Sequence, residues 1–102
     1  MTMKKFFLAG LAVFCSSIYA GDAALGKTQA VMCAACHGEN GVSSVALYPN
    51  LAGQKSAYLA KQMRDFKSGK RKDAMMSAMA KPLSDTDIDN LAAYFSSLPA
   101  AK

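Results

Sequence analysis

Two cysteines three residues apart, followed at once by the chain's single histidine, set the terms on which this sequence can fold: Cys33-Ala34-Ala35-Cys36-His37. In an oxidising, exported setting such a pair can become a disulfide, a redox-active dithiol or an attachment site for a porphyrin. The adjoining histidine points to the third, because Cys-x-x-Cys-His is the pattern that holds a c-type haem. Two thiols at this spacing reach the two vinyl groups of one porphyrin edge while the neighbouring imidazole turns toward the iron. With one histidine in 102 residues, no other imidazole of the chain competes for that place. Cys33 and Cys36 are thus the expected attachment points for one covalently bound haem c, and His37 the expected axial ligand.

The export assumption comes from the first twenty residues. Lys4 and Lys5 form a short positive start, Phe6 to Phe14 is almost wholly apolar, and Ser16-Ser17-Ile18-Tyr19-Ala20 ends in a small residue before polar chain begins. That order is the order of a secretory signal peptide, with cleavage expected after Ala20 and residues 21–102 left as a single domain. As a membrane anchor the apolar run is short for a hydrocarbon core of roughly 30 Å. Cys15 invites a lipid-modified reading, against which the bulky Phe14 before it stands. Loss of the leader removes Lys4 and Lys5, so ten basic and seven acidic side chains remain, a net charge of +3. Lys70-Arg71-Lys72 is the one basic cluster, and Asp65, Asp73 and Asp85 lie close by in sequence, so no nucleic-acid footprint emerges.

Hydrophobic periodicity predicts an all-α domain of about four short helices. A first helix is expected from about Ala23 to Cys33, with Asp22 near its positive end. A loop rich in turn residues runs from Gly38 to Gly53. A further helix opens at Lys55 or Ser56, carries Tyr58, Leu59, Met63 and Phe66 on one side, and stops at Gly69. Residues 70–83 read as a methionine-bearing loop with Met75, Met76 and Met79. The last helix has Ser84 as N-cap, Asp87 completing a capping box, and an apolar stripe of Ile88, Leu91, Ala92, Phe95 and Leu98 until Pro99. Some 80 residues without tryptophan supply only a modest core. A buried haem would complete it.

With these pieces in order, residues 22–98 resemble the small soluble class I cytochromes c of bacteria, especially the short single-haem members and single domains of the dihaem cytochromes. The likeness runs through Cys33 to Gly41, Tyr48-Pro49-Asn50-Leu51-Ala52-Gly53-Gln54, Tyr58-Leu59 with Gln62, Met63 and Phe66, then Met75-Met76 and Ser84 to Phe95. The resemblance implies His/Met axial ligation, with the ligand methionine commonly eight residues before the capping serine. Counting back from Ser84 gives Met76; Met79 is its main rival and Met75 comes third. Met32 and Met63 are expected to be plain core. By the same resemblance, the Pro49 carbonyl would accept a hydrogen bond from His37, and Gly26 and Tyr94 would meet where the first and last helices cross. Arg71 is expected at the surface or on a haem propionate.

Thioether and imidazole together would leave no position on the iron open for substrate. The lone histidine is already spent and no carboxylate pair suggests acid–base chemistry, so no enzyme is expected. The function implied is that of a periplasmic one-electron carrier between donor and acceptor redox proteins, as a monomer or in weak complexes, without a membrane span in the mature chain. The alternative is a haem-bearing subunit of a larger oxidoreductase. A thiol–disulfide oxidoreductase would need a βαβ framework, which the sequence lacks, whereas a copper module of Cys, His and Met ligands remains open to a metal titration.

Overall fold

The computed structural model describes residue 10 and residues 21–102, which form five α-helices and no strand. The expected signal peptide, residues 1–20, and Cys15 lie outside the described residues apart from Gly10. The helices are α1 (Ala23–Gln29), α2 (Val31–His37), α3 (Ser56–Ser68), α4 (Ala74–Ala80) and α5 (Asp85–Ser97).

Where one helix was expected up to Cys33, the chain makes two, and the second runs through the whole cysteine–histidine motif. The break is Ala30, whose ψ of −9° tightens the turn. Its carbonyl accepts from both Cys33 and Ala34 N–H groups, so the path bends without losing its bonds. The second departure is α4, since residues 74–80 are helical rather than loop. Asp73 makes this possible, its side chain accepting from the N–H groups of Met75 and Met76.

The two longer helices follow their sequence signals. Gly69 closes α3 in the left-handed conformation at φ 84°. At the start of α5, Ser84 Oγ accepts from Asp87 N–H, and the Asp87 carboxylate accepts in return from Ser84 N–H, a complete capping box. The core is small: Leu59, Ala60, Ile88, Leu91, Ala92 and Phe95, with Ala30 from the α1–α2 junction. α1 crosses α5 so closely that Asn90 of α5, buried, accepts from the Asp22 N–H at 2.7 Å. Gly26 lies at this crossing beside Asn90 and Tyr94, as expected. α3 packs on the other side of α5, where Arg64 bonds Asp85 at 3.1 Å and Asp89 at 2.9 Å.

Asp87 also joins α5 to α1, because Gln29 Nε2 donates to its Oδ1 at 2.6 Å. The Ser84 donors first, and then Gln29 and nearby Lys67, hold the Asp87 carboxyl below its ordinary range. Asp65, beside Lys61, is lowered as well. A group depressed in the folded state stabilises the fold above its unfolded pKa, about 3.9 for Asp, and that contribution goes as pH falls through the lower folded value. Thermal stability of the holoprotein is therefore expected to hold from pH 7 to 5 and to drop below about pH 4. Asp87→Asn should be less stable at pH 7 and show a shallower acid drop. Equal acid dependence in the two proteins would show that Asp87 is not one of the groups responsible.

Candidate haem site

The histidine of the motif is the last residue of α2, and it is buried, 7% exposed. The loop after it folds back on itself: Leu51 and Ala52 N–H groups both donate to the Gly41 carbonyl, and Ser43 N–H donates to Asn50 Oδ1. That path brings the Pro49 carbonyl to 2.8 Å from His37 Nδ1. A carbonyl oxygen can only accept, so Nδ1 carries the proton and donates. The ring's lone pair then sits on Nε2, which takes no part in the Pro49 bond. An imidazole oriented by its other nitrogen, with the free one basic, is the form in which histidine binds metals.

Cys33 and Cys36 lie on the same short helix, half-buried and not joined to each other. Burial, and secondarily the neighbouring Cys36, pushes the Cys33 thiol up from its ordinary value. A redox-active dithiol needs a thiol pushed the other way, so this environment disfavours the oxidoreductase reading. No group of three or more His, Cys, Asp and Glu side chains converges to hold a metal ion among the described residues.

Cys33 faces a cavity lined also by Met32, Met63, Met76, Met79, Ala80, Leu83, Leu91, Gln29 and Asp87. The structure thus brings together Cys33 and two of the three candidate methionines of the 75–79 segment. Met75 stays outside, 55% exposed. Cys36 and His37 are not among the cavity's walls. Met32 and Met63, expected to be plain core, both line it, and Met32 is 58% exposed. The helix break at Ala30 accounts for Met32, because α2 no longer continues the face that α1 turns toward α5.

The residues present fit a porphyrin. The cavity's enclosed volume is about 130 Å³, well below the roughly 300–1,000 Å³ of pockets that enclose a small molecule, so its lining forms one wall of a larger site. That wall is apolar and rich in thioethers. Its polar members are Asp87 and Gln29, whose Oε1 is buried without a partner.

Gln29 and Asp87 are the polar wall residues that sequence reading missed, and Ala80 and Leu83 the apolar ones. Gln29 stands four residues before Cys33, one helical turn away, which is a usable signal. Asp87 had already been accounted for as half of a capping box. Arg71 lies exposed at the surface, as one of its two expected placements has it, but is not unpaired: it donates to Gln62 Oε1 at 2.7 Å and holds its guanidinium 4.5 Å above the Phe66 ring. No helix among the described residues is long and apolar enough to cross a membrane.

Comparison with known proteins is consistent with this geometry. The family model for cytochrome c matches residues 23–99. Cytochrome c4 of Pseudomonas aeruginosa is 50% identical over 78 residues, which make up 76% of this chain and 39% of that protein. Cytochrome c-554(548) of Halomonas halodenitrificans is 46% identical over 81 residues, 76% of this chain and 98% of that one. The crystal structure of reduced recombinant cytochrome c4 from Pseudomonas stutzeri matches with a TM-score of 0.76 at 43% identity, covering 80% of this chain and 48% of that one. The chain spans about two fifths of the first relative's length and nearly all of the second's. With its family model matched across all five helices and a haem attachment sequence on α2, the chain belongs to the cytochrome c family, electron-carrying proteins with covalently bound haem c.

Proposed function

We propose that residues 21–102 form a periplasmic one-electron carrier, exported by cleavage of residues 1–20, with haem c attached through Cys33 and Cys36 and ligated by His37 and Met76. The observation that carries the reading is the His37–Pro49 hydrogen bond, which fixes Nδ1 as donor and leaves Nε2 free for a ligand's metal, on the same helix as two unpaired thiols. When bound, the haem supplies an iron that stores one electron. The chain's own contribution is positional. His37 is held in one tautomer, α4 presents thioethers to the cavity, and Leu83, Leu91 and Ala80 keep water from that wall. Met76 as a thioether ligand beside the His37 imidazole would raise the reduction potential relative to two imidazoles, which suits a carrier between donor and acceptor proteins.

Met76 and Met79 both line the cavity, and they differ in their place on α4. Met76 N–H is one of the two groups capped by Asp73 at the start of the helix, whereas Met79 stands one turn further on. The full chain, expressed with a haem-maturation system, is expected to show a low-spin spectrum and a methionine–iron charge-transfer band. Met76→Ala should abolish the band and Met79→Ala should keep it. The opposite pattern would move the ligand to Met79, and high-spin haem in the unmutated protein would overturn the closed coordination.

A further inference from the structure

One side-chain polar atom among the described residues is buried without a hydrogen-bond partner, and it belongs to the haem wall: Gln29 Oε1. A side-chain amide free to turn over exchanges its two ends to suit its neighbours. This one is not free. Its Nε2 donates to Asp87 Oδ1 at 2.6 Å, and a flip would set a carbonyl oxygen against a carboxylate oxygen. Asp87 is itself fixed, because its Oδ2 accepts from Ser84 N–H at 2.9 Å to close the capping box. The Ser84 donors first, and Gln29 and nearby Lys67 of α3 after them, keep that carboxyl ionised. The amide is thus locked with Nε2 on Asp87 and Oε1 turned from it.

The wall has no donor to give that oxygen. Beside Gln29 and Asp87 it consists of four methionines, Ala80, Leu83, Leu91 and Cys33. None of these side chains carries an N–H or O–H group, and the weak S–H donor of Cys33 is used up when its sulfur is joined to a porphyrin. An ordered water needs about two to four polar partners, which an apolar wall does not supply. Gln29 therefore keeps an unpaired acceptor one helical turn before the attachment cysteine.

Native folds retain few such atoms, since a buried acceptor without a donor is costly. Beside a redox group it has an electrostatic use. The charge at the iron falls by one unit on electron uptake, and a fixed negative partial charge in weakly polar surroundings favours the more positive, oxidised state. We infer that Gln29 is a potential-setting residue: locked by Asp87, its unpaired carbonyl oxygen favours the oxidised haem and holds the reduction potential below the value that the thioether wall alone would give.

The inference rests on the electron-carrier reading and deepens it. Its test is spectroelectrochemical titration of holoprotein variants beside the unmutated protein. Gln29→Met keeps the side chain's length and removes the oxygen, so at a fixed applied potential the ratio of reduced to oxidised protein should rise about threefold. Gln29→Glu sets a full charge against Asp87, and at about pH 8 the ratio should fall about tenfold, equivalent to about 59 mV for a one-electron couple. Toward about pH 5 that fall should shrink, because two carboxyls in contact share a proton. The groups facing the pair are Ser84 of α5 and Lys67 of α3, and α4 adds no charge to this wall. Thr28→Glu places the same charge on the neighbouring exposed position and should change the ratio by less than about twofold. The methionine–iron band should persist in all three variants.

Shifts of the same sign in Gln29→Met and Gln29→Glu, no shift in either, or an equal effect of Thr28→Glu would overturn the role of Gln29 and leave the carrier reading intact. Should a Gln29 variant lose the methionine–iron band, the unmutated ferrous protein decides. Side-chain N–H signals of Gln29 that exchange slowly with deuterated water support the locked amide, and rapid exchange overturns it. An unmutated protein that does not titrate reversibly as a one-electron couple would overturn the carrier reading, and this inference with it.

Discussion

Cys33→Ala/Cys36→Ala protein, produced beside a haem-maturation system, is expected to release all its pigment into acidified organic solvent and to show no cooperative thermal transition at 25 °C or above. The first half follows from chemistry, since without thiols nothing covalent joins porphyrin to chain. The second follows from the core. Among the described residues ten apolar side chains are buried, and five of them are alanines, which leaves Leu59, Phe66, Ile88, Leu91 and Phe95 as the large ones. A fully buried large apolar side chain contributes roughly 1.5–3 kcal/mol, while each ordered residue costs about 1–2 kcal/mol in backbone entropy alone. Five large side chains cannot order some 80 residues by themselves, so the cofactor has to complete the core. The open thioether wall is the surface a lost haem would leave wet. Retention of red colour through extraction would refute attachment at these cysteines, and a sharp melt in the colourless protein would refute the cofactor's structural role. Far-UV circular dichroism with solvent extraction reads both.

Parts of the chain declared themselves because one residue type did one job. Ser84 and Asp87 mark the start of α5, Gly69 marks the end of α3, and the stripes on both helices are regular. The pairing of Pro49 with His37 comes from the family resemblance and not from the loop's own sequence, and the fold brings the carbonyl to 2.8 Å from Nδ1. α4 stayed hidden for a physical reason. Its sequence Ala-Met-Met-Ser-Ala-Met-Ala has one polar residue and no alternation of faces, so periodicity has nothing to register, and the one start signal is the Asp73 side chain. The same featurelessness serves the site, because a helix with thioethers on one flank and small residues on the other can stand between two cavities. Gln29 was overlooked because an amide in a polar first helix looks like surface. Only the fold puts its Nε2 on Asp87 and buries its Oε1. Charge behaved likewise. Linear spacing set Asp85 near the lysine cluster, but the fold spends that carboxylate on Arg64 and leaves the lysines together.

Gly26→Ala is expected to destabilise the fold strongly by forcing α1 and α5 apart. A Cβ built at position 26 would stand 2.0 Å from the Asn90 carbonyl oxygen and 2.8 Å from Tyr94 Cβ. The first of these neighbours is backbone in the middle of α5, so no rotamer change relieves it, and α1 and α5 must move apart by more than an ångström. Separation would also stretch the Asp22–Asn90 and Gln29–Asp87 bonds that tie the same two helices. Overpacking of this kind costs about 2–4 kcal/mol, a large share of what a domain of this size possesses. Gly69→Ala provides the comparison. Nothing lies within 4 Å of its added Cβ, and the penalty is only the left-handed φ of 84°, about 1–2 kcal/mol. Urea denaturation of the two holoproteins should therefore rank Gly26→Ala below Gly69→Ala, with the former also shifting the visible spectrum as α1 draws Gln29 and the adjoining Cys33 away from the cavity wall. If Gly69→Ala proved the weaker protein, backbone conformation and not the α1–α5 crossing would set the stability of this fold.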